Sequence, residues 1–287
     1  MAEAAEVVIV SAARTPIGKF LGGLKDLPAP ALGSAAIRAA VERAGLQPGD
    51  VQDVVMGHVV QAGNGQNPAR QAALGAGLPS RVGASTVNMV CGSGLKAVMN
   101  AVQAVRLGDA RVTVAGGQES MSRAPHYLNA REGLRLGEAT LRDANIVDGL
   151  WCALTDQHMG DTAELVAREY GVKRAEQDAY SLESHRRALE AAAAGRLSAE
   201  IVPVSVPGRK GVTVVAADES PRPDTSLEAL ARLRPAFQAD GTVTAGNAPG
   251  LNDAAAAVVV MRADEARARG LAPLAVVEGY ATAGLDP

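Results

Sequence analysis

The stretch Val87-Asn88-Met89-Val90-Cys91-Gly92-Ser93-Gly94-Leu95-Lys96-Ala97 places a cysteine where a thiolate would be favoured. Residues 85–90 are apolar and β-branched enough to read as a strand end. Beyond the cysteine and its two glycines, Leu95, Val98, Met99, Val102 and Val105 recur at helical spacing, and Gly108 is a fitting helix end. Cys91 therefore falls in a tight strand-to-helix turn. The unpaired N–H groups and dipole of a helix N-terminus favour an anion there and raise the thiolate fraction. Small glycines let a substrate carbonyl come close to the backbone. This is a setting for a nucleophile, but the local context fits equally well a small, buried, inert cysteine.

The elements that would position this turn alternate strand with helix. Residues 7–10 form a wholly apolar run of the kind buried on both faces of a parallel sheet. Residues 29–44 read as a helix with Leu32, Ala36, Ile37, Ala40 and Val41 on one face, ended by Gly45. Residues 53–60 read as a strand, 68–76 as a short helix with Pro68 in its first turn, and 111–115 as a strand running into Gly116-Gly117. This order predicts an α/β layered fold. The pattern changes near Met121. Helices are expected at 160–170, 175–194 and 227–233, and β segments at 201–206 and 212–216. A strand at 255–261, a helix at 263–270 and a strand at 273–281 then restart the first pattern. The division is 1–120, a core carrying the cysteine; 121–243, an insertion of mixed structure; and 244–287, a return to the core.

Composition narrows the function classes. At 287 residues there is room for one large domain or two modest ones. A net charge of −3 offers no broad basic field to nucleic acid or an anionic membrane. Only 2% of residues are aromatic, so the core must be built from small aliphatic side chains. Two cysteines without pairing logic, no charged-then-apolar leader and no apolar run long enough to span a bilayer point to a reducing cytosol.

The run VNMVCGSGLKAV resembles the nucleophile signature of the thiolases, enzymes that cleave or form 3-oxoacyl-CoA. The likeness continues through VVIVSAARTPIGKF, GQNPARQAALGAGLP, VAGGQESMSRAP, DGLW, HMG, VPGRKGVTVV, LRPAF and VTAGNAPGLNDAAAAVVVM, in that order. It is strongest toward the acetyl-CoA acetyltransferase branch. The resemblance implies a layered α-β-α-β-α fold, of which the chain holds a complete N-terminal half, an inserted loop domain and the start of the C-terminal half. It implies ping-pong acyl transfer through a Cys91 acyl-enzyme, with coenzyme A as substrate, no cofactor and no metal. It places Leu150, His158 and Met159 on the pantetheine channel, Arg222 and Leu233 near the nucleotide end, and Ala245 and Gly246 as close backbone walls. It implies a homo-oligomer, tetramer or dimer, working in fatty acid metabolism. Pro249 stands where many members carry a serine, and Ala254 replaces a usual glycine.

The chemistry also needs an acid/base group and oxyanion donors. In the family most of these come from an NEAFA asparagine, a GHP histidine and a second cysteine before a glycine run, none of which stands in this sequence. The backbone N–H of Cys91 is one oxyanion donor. Among the histidines, His185 reads as part of a solvated helix face, and His58 and His126 as ordinary residues. Cys152 reads as structural or incidental. No base is visible, so a C-terminally shortened thiolase is expected. Its missing part would be supplied by a separate chain, or else it would be a non-catalytic CoA-binding or oligomer-forming remnant. A ketoacyl-synthase-like enzyme and a cysteine protease fit the residues less well.

Overall fold

The computed structural model describes residues 5–209 and 211–287. These build a seven-stranded mixed sheet. Across it lie Ala275–Val276, Val7–Arg14, Asn252–Arg262, Val112–Ser120, Asp53–Gly57 and Gly83–Val87, with Gly18–Lys19 paired to the start of Asn252–Arg262. Asp53–Gly57 runs parallel to both neighbours, Gly83–Val87 and Val112–Ser120. The opening strand is not part of a parallel array: Val7–Arg14 is antiparallel to Asn252–Arg262 and to Ala275–Val276. Its apolar run correctly indicated cover on both faces, but that cover does not depend on strand direction.

Two apolar clusters sandwich the sheet. Alternation along each strand sends Val8, Val54, Met56, Val112, Val114, Val259 and Met261 to one face, which also carries Leu32, Ala36, Ile37 and Ala40 of the helix Ala29–Arg43 and Ala69, Ala72 and Ala73 of the helix Pro68–Gly75. Val7, Val55, Ala115 and Val260 go to the other face, with Ala97, Ala101, Val102 and Val105 of the helix Ser93–Leu107. The result is a helix–sheet–helix layering with a core of small side chains, as the scarcity of aromatics required.

Along that last helix Met99, Val102 and Val105 are buried and Val98 packs partly buried against the cluster on that face, as their spacing predicted; Leu95 alone of the expected face is exposed, at 64%, and Ala97 and Ala101 are buried beside the others.

Several boundaries also move. The strand expected at 53–60 stops at Gly57, the one expected at 111–115 continues through both glycines to Ser120, and the one expected at 273–281 is only Ala275–Val276. Within 121–243 the helices Met159–Glu169, Arg174–Ala193 and Leu227–Ala231 form, with an antiparallel hairpin of Val204–Gly208 and Gly211–Val215. This hairpin is tied to the sheet. Val204, Val206 and Val215 join the larger apolar cluster. The Arg14 guanidinium bridges Asp218 at 2.7 and 3.0 Å and Glu200 at 2.8 Å.

Candidate active site

Register brings the chemistry together. Gly57 pairs with Val87 on one side and with Gly117 on the other. Just past Gly57 and Val87 the chain delivers His58 and Asn88 to one rim, and Glu119, two residues on from Gly117 within the last residues of its strand, reaches the same rim, at the carboxyl ends of these parallel strands, where α/β sheets bind their ligands. The helix Ser93–Leu107 begins on the same rim. A Cβ on Gly57 would lie 2.5 Å from the Ser93 carbonyl carbon and 2.6 Å from the Gly94 nitrogen, so only glycine allows the helix start to rest on the strand end.

The turn into that helix is tightly specified. Val90, a β-branched residue, has φ of 46°, a left-handed conformation that costs of order 1–3 kcal/mol. Its N–H donates to Asn88 Oδ1 at 2.9 Å. The Ser93 hydroxyl accepts from the Met89 N–H at 2.8 Å and donates to the Val90 carbonyl at 2.6 Å. Cys91 follows, exposed, with Gly92 as the residue before the helix.

Cys91 opens into a cleft of about 990 Å³. Leu150, His158 and Met159, expected on the pantetheine channel, line it. His158 precedes the helix Met159–Glu169, and its Nδ1 accepts from the Gly160 N–H at 2.9 Å, which assigns the ring proton to Nε2. Its ring stacks on Phe237 at 4.9 Å between centroids. The other four expected binding residues are not in the lining. Arg222 is exposed, and its backbone N–H donates to His185 Nδ1 at 3.1 Å. Leu233 packs over Gly246, where a Cβ would lie 2.4 Å from the leucine Cδ1. Ala245 is exposed in the turn from Thr244 to Asn247, whose Asn247 and Ala248 do reach the cleft. That turn is held by Asp178, which accepts from Asn247 at 3.0 Å and from Arg174 at 2.8 Å. Pro249 and Ala254 both line the cleft. The tight packing in that stretch falls instead on Gly116, where a Cβ would lie 1.9 Å from the Ala256 carbonyl oxygen.

Two titratable residues stand in the wall: His58, which the sequence reads as ordinary, and Glu119, which it does not single out. His58 is 1% exposed and lines the cleft with Cys91. Its Nε2 lies 3.1 Å from Glu119 Oε1, within ion-pair reach but without hydrogen-bond alignment, and Nδ1 has no protein partner among the described residues. Glu119 also accepts from the Val59 N–H at 2.9 Å and the Val60 N–H at 3.3 Å. No local motif marks this pair, because only the pairing of Gly57 with Gly117 brings residues 61 positions apart together.

Two buried carboxyls frame the region. Burial pushes Asp253 up, even though the Ser122 N–H and hydroxyl donate to it. Burial alone would push Glu164 up too, but hydrogen bonds from Thr242 and Val243 together outweigh it and hold that carboxyl below the usual range. Glu164 thus ties the helix behind His158 to the segment that ends in Thr244. Cys152 is half-buried outside the cleft lining.

Comparisons with known proteins agree with this layout. The thiolase, N-terminal domain family matches residues 7–264. Acetyl-CoA acetyltransferase from Cupriavidus necator is 56% identical over 284 residues, which are 98% of this chain and 72% of that protein. Its counterpart from Paracoccus denitrificans is 54% identical over 282 residues, with the same two shares. The crystal structure of the Bacillus anthracis acetyl-CoA acetyltransferase superposes with a TM-score of 0.96 at 42% identity, again over 98% of this chain and 72% of the other. The chain belongs to the thiolase family.

Proposed function

We propose that this chain carries out the acylation half of acyl transfer between CoA thioesters, of the acetyl-CoA C-acetyltransferase type, with Cys91 as the acyl acceptor. The observation that carries the reading is an exposed cysteine at a helix start, opening into the cleft that His158, Met159 and Leu150 also line. The Cys91 thiolate attacks the thioester carbonyl, the oxyanion forms against the Cys91 N–H, and the C–S bond to CoA breaks as the acyl–cysteine bond remains. CoA leaves as a thiolate and takes up a proton. The pantetheine arm runs along His158, Met159 and Leu150. The nucleotide end lies toward Leu233, Ala245, Gly246 and Arg222, whose guanidinium stacks on adenine or meets phosphate. In this division residues 1–120 supply the nucleophile, 121–243 the CoA-binding walls, and 244–287 the closing strand. We also infer a homo-oligomer, supported by the sheet edge at Gly83–Val87 and by Met89 and Val90 beside it, 39% and 49% exposed.

The test is mass spectrometry of the purified chain after incubation with acetyl-CoA. A single added acetyl group mapped to Cys91, and absent from Cys91→Ser, is expected. Binding of CoA by calorimetry with no acetyl group on Cys91 would leave a CoA-binding protein and refute the transferase reading.

A further inference from the structure

We propose that Asn88 and Ser93 are positioning residues that hold Val90 in its left-handed conformation and thereby aim Cys91. The inference rests on Cys91 being the nucleophile, although its main readout does not need acyl transfer.

Valine tolerates φ of 46° poorly, because the Cβ and its two methyls crowd the neighbouring carbonyl. A turn carrying that strain persists only where surrounding bonds over-determine it. Here both peptide groups of Val90 are engaged from opposite sides. Its N–H donates to Asn88 Oδ1 at 2.9 Å, and its carbonyl accepts from the Ser93 hydroxyl at 2.6 Å. Ser93 is 3% exposed and its hydroxyl serves as donor and acceptor at once, since the same oxygen accepts from the Met89 N–H at 2.8 Å. Asn88 is more exposed, but its other end is anchored as well: Nδ2 donates to the Val59 carbonyl at 3.2 Å.

Val59 is in turn fixed by Glu119, which accepts its N–H at 2.9 Å. A continuous set of bonds thus runs from Glu119 on one strand, through Val59 beyond the next, to Asn88 beyond the third, and ends at the residue before the nucleophile. Asparagine is the side chain this position requires, because it must accept from one backbone group and donate to another. Aspartate keeps the first bond and sets a carboxylate against the Val59 carbonyl.

The discriminating background is Val90→Gly. Glycine adopts positive φ without the steric penalty, so a turn containing it needs less holding. Amide exchange across residues 88–92 and 97–105 would be measured in the full chain for Asn88→Ala, Asn88→Asp and Ser93→Ala, each with Val90 and with Gly at position 90. With Val90 we expect Asn88→Ala and Ser93→Ala to speed exchange in the turn about tenfold or more, Asn88→Asp less, and residues 97–105 to stay unchanged. With glycine the Asn88 effect should shrink to about threefold or below. Equal Asn88 effects in both backgrounds, or a turn that stays protected in Asn88→Ala, would overturn the proposal. Should Ser93→Ala also speed exchange at 97–105, it reports unfolding, and the exposed Asn88 pair decides the matter alone. The acetylation rate of Cys91 at saturating acetyl-CoA is read on the same samples. A rate about tenfold lower in Asn88→Ala, with half-saturation within about twofold, is expected from misaimed attack. Absence of acetylation in the unsubstituted chain would defeat the transferase reading, while the exchange rates would still decide whether Asn88 and Ser93 hold the turn.

Discussion

Substituting Gly57 by alanine tests whether the helix start and the strand end form one rigid unit. The added Cβ would meet three atoms of residues 93 and 94 at 2.5, 2.6 and 2.7 Å, two of them backbone. Comfortable carbon contacts begin near 3.5 Å, so about 1 Å of displacement is needed. Side-chain rotation cannot supply it, because the obstacle is main chain at the first turn of the helix Ser93–Leu107. Either the helix start lifts from the sheet or the strand end bends, at about 1–3 kcal/mol for overpacking. Urea denaturation reads that loss. The functional loss should be disproportionate: a displacement of about 1 Å at a reacting atom costs on the order of a hundredfold in rate. Acetylation of Cys91 by acetyl-CoA should therefore fall by that order at a temperature where the variant is still folded. A variant with unchanged stability and acetylation within about threefold of the parent would refute the claim that glycine at 57 sets the position of the nucleophile.

Three further outcomes follow from other contacts. Gly116→Ala should be more damaging than Gly57→Ala, because its Cβ would lie 1.9 Å from the Ala256 carbonyl oxygen inside the sheet; a loss above about 3 kcal/mol, or no soluble folded protein, is expected by urea denaturation and circular dichroism. Arg14→Ala leaves the partly buried Asp218 without its guanidinium and should cost about 2–4 kcal/mol, with limited proteolysis showing earlier cleavage in the hairpin around Val204–Gly208. Glu164 has a folded-state pKa below its unfolded value, so its contribution is present above the unfolded pKa and is lost as pH falls through the folded one. Glu164→Gln should accordingly lower stability at neutral pH and flatten the decline of stability below about pH 4.5, measured by thermal melts across pH; a decline as steep as the parent's would show that another group carries it.

Much of the fold was legible because its signals are local. The helix Ala29–Arg43 announces itself by the spacing of Leu32, Ala36, Ile37 and Ala40 and by Gly45 beyond its end, and it forms within a residue of the expected bounds. Strand direction was not legible. The apolar run at Val7 records burial, and burial is the same whether the neighbouring strand is reached by a tight turn or returns from residue 252. The end of Val112–Ser120 escaped for the opposite reason: glycine reads as a breaker, whereas Gly116 and Gly117 remain within a strand, where a Cβ on Gly116 would run into the neighbouring Asn252–Arg262 strand at Ala256.

The same distinction governs the site. Cys91, Leu150, His158 and Met159 were legible through contiguous motifs, and the cleft does gather them. His58 and Glu119 were not, since each taken alone sits in unremarkable sequence and nothing in either stretch refers to the other. Their meeting is a property of register. Gly57 faces Gly117, so residues one and two steps beyond them converge, with a histidine nitrogen and a carboxylate oxygen 3.1 Å apart. A one-residue slip in that pairing would turn Glu119 to the opposite face of the sheet and remove the support under Val59. The turn that carries Cys91 therefore depends on a strand pairing that involves none of its own residues. Sites of this kind are recovered from sequence only when the sheet registers are solved first and the rim residues are read afterwards.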